Sequence, residues 1–542
     1  MKIFGNIFDL DNRRFIHGSV ELEDGKIVRI KEEETDKNDY ILPGLVDSHI
    51  HIESSMLTPS AFAEEAVRHG TVGVVTDPHE IANVMGVEGV EYMIENSAKV
   101  PLKFYFGAPS CVPATPFETN GGTIDAEGVE GLLRKEEVRY LSEMMNVPGV
   151  LGNNDQVARK IKSSLEKGKP VDGHAPGLRG GDLQKYIEAG ISTDHESIDI
   201  EEAREKMDKG MKIQIREGSA ARSLDRFHYL LGDDCSKLML CSDDLHPEML
   251  KMGHINLLVK KLIELGYDIF DIIKISVFNP VDHYKLDVGR LKEGDNADFI
   301  VVDNPYEFNV KETWIDGKKV YDGQDVSFKA LGGKEINRFH SSKIRKSDIQ
   351  VNASGNKIRL IKARDGELVT DELIKDVVSN RGNAVSDTGQ DILKIVVKDR
   401  YNDGDPAIAF ISGYGLQKGA FASSVAHDSH NIIAVGVDDE SICKAINSIV
   451  EMKGGLSVYD GNEINSLQLE IGGIMTNVPC GTVAAKYEEL SRKVKDMGCG
   501  FRAPFMTLSF MALPVIPDLK LTDKGLFDVN KFDFVDLFVE AE

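Results

Sequence analysis

Two histidines stand two residues apart, His49 and His51, in the apolar run Val46-Asp47-Ser48-His49-Ile50-His51-Ile52 that follows Pro43-Gly44. In a strand, residues i and i+2 share a face. The two imidazoles therefore project together and can offer two nitrogens to one metal ion. Alone, the pair reads more simply as one packed and one surface histidine. It is not alone. Asp77-Pro78-His79-Glu80, Glu143 in Leu141-Ser142-Glu143-Met144, His174 in Asp172-Gly173-His174-Ala175, His195 in Thr193-Asp194-His195-Glu196 and Asp243 in Ser242-Asp243-Asp244 each lie beside a short apolar run. Four histidines (His49, His51, His174, His195) and one or two carboxylates, without a thiolate, suit a divalent ion such as Zn, Mn or Fe(II). If one carboxylate bridges, the set suffices for two ions. Two ions sharing a hydroxide lower its pKa and supply a nucleophile at neutral pH. A further carboxylate must then carry the proton to the leaving group. Asp243 stands where it can bind an ion and do that.

The elements that must position these groups alternate between strand and helix. Strands are expected at the His-x-His run, Thr71–Thr76, Lys103–Gly107, Gly149–Gly152, Pro170–His174, Gly190–Thr193, Met211–Ile215 and Leu238–Cys241, with helices between most of them. Eight such units over residues 46–285 imply an α/β fold with a parallel sheet closed as a TIM-like (β/α)8 barrel. An open doubly wound sheet is the alternative. The polar groups fall at the ends of these runs, where barrel active sites lie. Residues 1–45 read as short strands with a hairpin at Asp24-Gly25, and 286–340 return to strands, Val288–Leu291 among them, with a second hairpin at Asp316-Gly317. The first segment is too small to fold alone. The two are expected to join as one small β-sandwich domain. Residues 341–542 are expected to form a separate C-terminal α/β domain, with strands near 391–397 and 432–437 and a helix over 441–452.

The net charge of -25 and pI near 5.1 repel phosphate backbones, so nucleic acid is not an expected partner. No window approaches the ~18 consecutive apolar residues of a membrane helix, and the N-terminus lacks a signal-peptide pattern. A cytoplasmic protein is expected, with no membrane partner. The six cysteines are scattered, without a Cys-x-x-Cys pair, which argues against a zinc knuckle and a disulfide framework.

The sequence resembles the amidohydrolase superfamily and, within it, the adenine deaminases. The broad marks are Leu42-Pro43-Gly44-Leu45-Val46-Asp47-Ser48-His49-Ile50-His51, His174, His195, Asp243, Asn279-Pro280 and Gly289-Arg290-Leu291 through Asp298. The narrower ones are His51-Ile52-Glu53-Ser54-Ser55-Met56, Thr76-Asp77-Pro78-His79-Glu80-Ile81-Ala82-Asn83, Glu143-Met144-Met145-Asn146-Val147-Pro148-Gly149 and Ala426-His427-Asp428-Ser429-His430-Asn431. The resemblance implies that His49, His51 and Asp243 hold a first ion, that His174 and His195 hold a second, and that Glu143 bridges them. It implies Mn or Fe(II) in preference to Zn. It also implies hydrolysis of adenine to hypoxanthine and ammonia in purine salvage, with hydroxide attacking C6 and Asp243 protonating the departing amine. The His-x-Glu with Pro-Cys-x-x-Cys signature of another deaminase class is absent.

Other features carry two readings each. His79 and Glu80 reach the pocket or cap the next helix. Glu53 and Ser54 touch substrate or brace their loop. His427 and His430 bind an extra metal or close over the site as a lid; the alternative is an exposed polar loop. Arg216, Glu217 and Gly218 read more simply as a helix start than as pocket lining, Asp244 as a supporting or solvated group, and His69, His228, His254 and His283 as structural. A homo-oligomer is expected. The rival functions are another amidohydrolase, acting on a cyclic amide or a different nucleobase, and a metal-free scaffold of the same fold.

Overall fold

A computed structural model describes residues 1–219 and 221–539; the last three residues of the expected C-terminal segment lie outside it. The chain opens with β1 (Lys2–Asp9), β2 (Arg14–Glu23), β3 (Lys26–Glu32) and β4 (Tyr40–Pro43). The β2–β3 turn places Asp24 at φ 49° and Gly25 at φ 79°, the left-handed pair that a tight hairpin requires.

Eight parallel strands follow: β5 (Leu45–Ile50), β6 (Thr71–Thr76), β7 (Lys103–Ala108), β8 (Val138–Met144), β9 (Val171–Gly173), β10 (Thr193–Asp194), β11 (Lys212–Arg216) and β12 (Leu238–Cys241). Five of them pair in sequence order from β5 to β9, and three pair from β10 to β12. Single parallel bridges, Val171 to Ile191 and Ile50 to Asp243, join the two sheets at both ends. The result is a TIM-like barrel. Its strands are mostly buried on both faces because helices cover the outside and side chains fill the inside. Helix α1 (Pro59–Ala66) and helix α2 (His79–Met85) are the first of the outer layer.

One barrel strand lies elsewhere than its sequence suggests. Residues 149–152 were expected to be extended, but Val147–Leu151 is a short helix, capped by Asn146, whose side chain accepts from Gly149 N, with Pro148 in its first turn. The fourth strand is Val138–Met144. The shift is functional, because it puts Glu143 inside a strand end instead of before one.

After the barrel come β13 (Phe299–Val302), β14 (Val310–Ile315) and β15 (Lys318–Tyr321). They hydrogen-bond with the N-terminal strands in one seven-stranded sheet, ordered β15-β14-β13-β4-β1-β2-β3. That sheet rolls back on itself: Ile27 N donates to Asp295 O, and Ala297 N to Gly25 O. Val288–Leu291 is not a strand. Its backbone is held instead by Asp298, whose Oδ2 accepts from Gly289 N at 2.8 Å.

Residues 357–468 carry eight strands of a nine-stranded sheet, whose ninth, Phe538–Val539, pairs with Lys357–Lys362. Strands Leu393–Lys398 and Ile432–Gly436 and helix Asp439–Met452 fall where the sequence places them. A second long helix, Cys480–Asp496, and a three-stranded sheet beginning at Leu519–Thr522 complete this part. No helix among the described residues is long and apolar enough to cross a membrane.

Candidate active site

The strand ends converge. His49 and His51 leave β5 with their Nε2 atoms 3.2 Å apart, and Asp243, just past β12, places Oδ1 3.5 and 3.3 Å from them. Two histidines of one strand and an aspartate of the last meet here because that seam closes the barrel: Asp243 N donates to His49 O and His51 N to Asp243 O. The ring of His51 is turned by the Asp77 carbonyl, 3.0 Å from Nδ1, which leaves Nε2 facing inward.

Glu143 sits opposite, buried at the end of β8. Its Oε2 is 2.9 Å from His174 Nδ1 and 3.0 Å from His195 Nε2. Its Oε1 is 3.6 Å from His51 Nε2 and 3.4 Å from His79 Nδ1. One carboxylate thus faces histidines on two sides. Tyr186 locks the strand ends beneath it, donating to Met144 O and accepting from His174 N. A buried cation braces the next pair: Lys206 Nζ lies 2.9 Å from Asp194 and 2.6 Å from Glu202, and donates to Ala175 O at 2.7 Å. The loops bearing His174 and His195 hang from that group.

Burial alone would raise the carboxyl pKa values, but neighbouring cations outweigh it. Glu143 is held well below the ordinary range by His174 and His195. Asp243 is held down by Arg216, with His49 and His51 adding to it. Burial works against a charged His174, yet Glu143 lifts it to about 9. Both carboxylates are thus ionised at neutral pH and available as ligands.

The donor set fits a divalent ion. Ligand atoms on a tetrahedral ion with bonds of ~2.0–2.1 Å stand roughly 3.3 Å apart, and the His49, His51 and Asp243 atoms have this spacing. Among the described residues, groupings of nitrogen and carboxylate atoms that meet within 4.8 Å include His49, His195 and Asp243; Glu143, His174 and His195; His51, Asp77, His79 and Glu143; and His79, Glu80 and Asp428.

The remaining candidates divide. Glu53 accepts from Ile81 N at 3.2 Å and Ser54 donates to Asp244 at 2.5 Å. They brace the start of α2 and the loop after β12, and neither lines the inner cavity. Burial raises Glu53 to about 7. His79 and Glu80 open α2 and do line it. His427 and His430 are buried, not exposed. They reach in from the C-terminal part and grip the two oxygens of Glu80, His427 Nδ1 to Oε1 and His430 Nε2 to Oε2, each at 2.5 Å. Among the four histidines read as structural, His254 is 2.8 Å from Asp47 and 2.7 Å from Thr71, a barrel-wall tie.

Three further polar groups join the cluster. Asp77 precedes His79 by two and lies 3.0 Å from its Nδ1. Glu196 follows His195 and pairs with Arg216 through both guanidinium nitrogens. Arg216 ends β11, is buried, and also donates to Asp243 Oδ2; the strand-end rule that found Asp243 applies equally to it. Leu368, Phe510, Leu513, Val515 and Ile516, which face the cluster across the cavity, carried no sequence signal.

A TIM-like barrel with histidines and carboxylates gathered at its strand ends is the arrangement of a metal-dependent amidohydrolase, and residues 40–320 match the Amidohydrolase family model. Residues 367–533 match the model described as Adenine deaminase C-terminal domain. The chain is similar over nearly its whole length to proteins named Adenine deaminase. That of Methanosarcina mazei is 52% identical, with 99% of this chain and 100% of the relative covered. That of Salinibacter ruber is 49% identical, with 99% of each covered. That of Borreliella burgdorferi is 43% identical, again with 99% of each covered. The chain belongs to the adenine deaminase family.

Proposed function

We propose that this protein hydrolyses adenine to hypoxanthine and ammonia, in purine salvage, at the barrel centre. The observation that carries the substrate is the similarity to adenine deaminases along 99% of the chain, including the C-terminal part that forms one wall of the cavity. The family and the donor set together call for a divalent metal.

His49, His51 and Asp243 would hold one ion and His174 and His195 a second, with Glu143 between them; its two oxygens already face the two histidine groups. Mn or Fe(II) is favoured over Zn. Bound metal supplies Lewis acidity that brings the pKa of water towards neutrality. Asp243 takes the proton that water gives up and passes it to the exocyclic nitrogen. The C6–N bond breaks, a C6–O bond forms, and ammonia leaves. Arg216 fixes Asp243 by Oδ2 while Oδ1 points at the histidines. The apolar wall from the C-terminal part keeps bulk water from the reacting carbon.

The test is ammonia release by Mn-loaded protein offered adenine, adenosine, guanine, cytosine and a cyclic amide side by side. Rapid release from adenine, with hypoxanthine as product, is expected. Turnover of another compound and not adenine would overturn the substrate and leave the family intact. Silence with less than one ion bound per chain would favour a metal-free scaffold.

A further inference from the structure

We propose that two C-terminal segments, residues 366–369 and 510–517, form the purine-facing wall of the cavity, and that Lys520 is the positioning residue that ties them together. The inference rests on the adenine reading above.

Leu368, Phe510, Leu513, Val515 and Ile516 face the metal-binding side chains, and Phe510 stacks on His427 with ring centroids 4.5 Å apart. The wall comes from two stretches far apart in sequence. Loops keep a fixed surface only where their backbone groups have partners. Lys520 supplies them. It is fully buried, and its Nζ donates to Leu368 O at 2.7 Å and Phe510 O at 3.0 Å, one carbonyl from each stretch. Thr370 adds a second tie: its N donates to Pro517 O and its Oγ1 to Leu519 O, both at 2.9 Å.

The donor arithmetic favours this role. A neutral amine has two N–H groups, and two carbonyls take both; an ammonium would bring a third N–H for which the described residues offer no further acceptor. Burial accordingly pushes Lys520 down to about 7, opposed only by Asp518. No metal-binding candidate touches it, so its effect on the reaction passes through the wall. A wall fixed at this distance sets how much of a substituted purine the cavity admits.

The experiment compares full-length, Mn-loaded wild type with Lys520→Met, using adenine and 9-methyladenine. The variant is expected to keep wild-type metal content and to raise KM for adenine about tenfold, with kcat within about threefold. Its preference for adenine over 9-methyladenine should fall by about tenfold. Lys520→Gln, which keeps two N–H donors, should recover part of both. If Lys520→Met does not fold, Leu368→Ala with Val515→Ala lowers the wall without touching the tie and must show the same lost discrimination. Unchanged KM and discrimination in Lys520→Met, or a KM rise without relaxed discrimination, overturns the proposal, as do wall variants that discriminate like wild type. A wild type inactive on adenine would instead remove the reading beneath it.

Discussion

Two carboxylates in this molecule are each held between histidines, and they are built differently. Glu143 lies between His174 and His195 on one side and His51 and His79 on the other, all of them from the barrel. Glu80 also starts from the barrel, but the histidines that grip it, His427 and His430, come from a part of the chain some 350 residues away. Around Glu143 the distances run from 2.9 Å, a hydrogen bond with His174, to 3.6 Å at His51. Around Glu80, His427 and His430 make direct short hydrogen bonds, one to each carboxylate oxygen. His79 stands between the two, with Nδ1 towards Glu143 and Nε2 3.2 Å from Glu80. The same residue types thus give a cluster drawn from the barrel alone in one place and a contact that ties the C-terminal part to the barrel in the other. What separates them is how closely the histidines approach the carboxylate and which part of the chain they come from.

The largest test of that contrast is Glu143→Gln. Activity on adenine should drop by about 10³-fold or more, and bound metal should fall with it. Steady-state kinetics with metal analysis decides; full metal content with full activity would break the contrast. Asp243→Asn should lose about 10²–10⁴-fold in kcat while keeping most of its metal, since an amide oxygen can still face His49 and His51 but cannot take a proton. Glu80→Gln should act on the other side. It should keep its metal, lose about 10–100-fold in activity, and expose amides 426–431 to faster hydrogen exchange, because its charge no longer pairs with both histidines. Metal loss in Glu80→Gln equal to that in Glu143→Gln would merge the two sites into one.

The smallest effect concerns Lys520. Its folded pKa, about 7, lies below its ordinary 10.5, so between these values the unfolded chain binds the extra proton. Its contribution to stability is therefore fully present above pH 10.5 and is lost as pH falls through about 7. The slope from this one group is at most about 1.4 kcal/mol per pH unit. Wild type should gain on Lys520→Met in thermal unfolding from pH 7 to 9; the reverse trend would show a charged Lys520 in the folded state.

The barrel cluster is legible because strand and chemistry share a period. His49 and His51 are two apart, and the strand that carries them is two-periodic. Asp243, His174 and His195 follow short apolar runs that read as strands of a parallel sheet, closed as a barrel or open. Glu143 is legible as a candidate although its strand is not: Gly149-Val150-Leu151 is as apolar as a strand, but Asn146 caps it and Pro148 starts it as a helix. Arg216 was discounted because a basic residue beside an acidic one after a strand resembles any helix start; only its pairing with Glu196 and Asp243 reveals its place. The wall of Leu368, Phe510 and Ile516 lay beyond reach, since nothing local distinguishes these residues from any apolar core.

The seam between the first and last barrel strands has a consequence for how the protein is made. His49 cannot meet Asp243 until nearly two hundred more residues have left the ribosome, and Glu80 waits for some 350 before His430 arrives. At roughly 5–20 residues per second these intervals are about 10–40 s and 20–70 s. A nascent or prematurely terminated chain therefore carries every histidine of the first strand and no working centre. Completeness of synthesis is itself the condition for deaminating a purine.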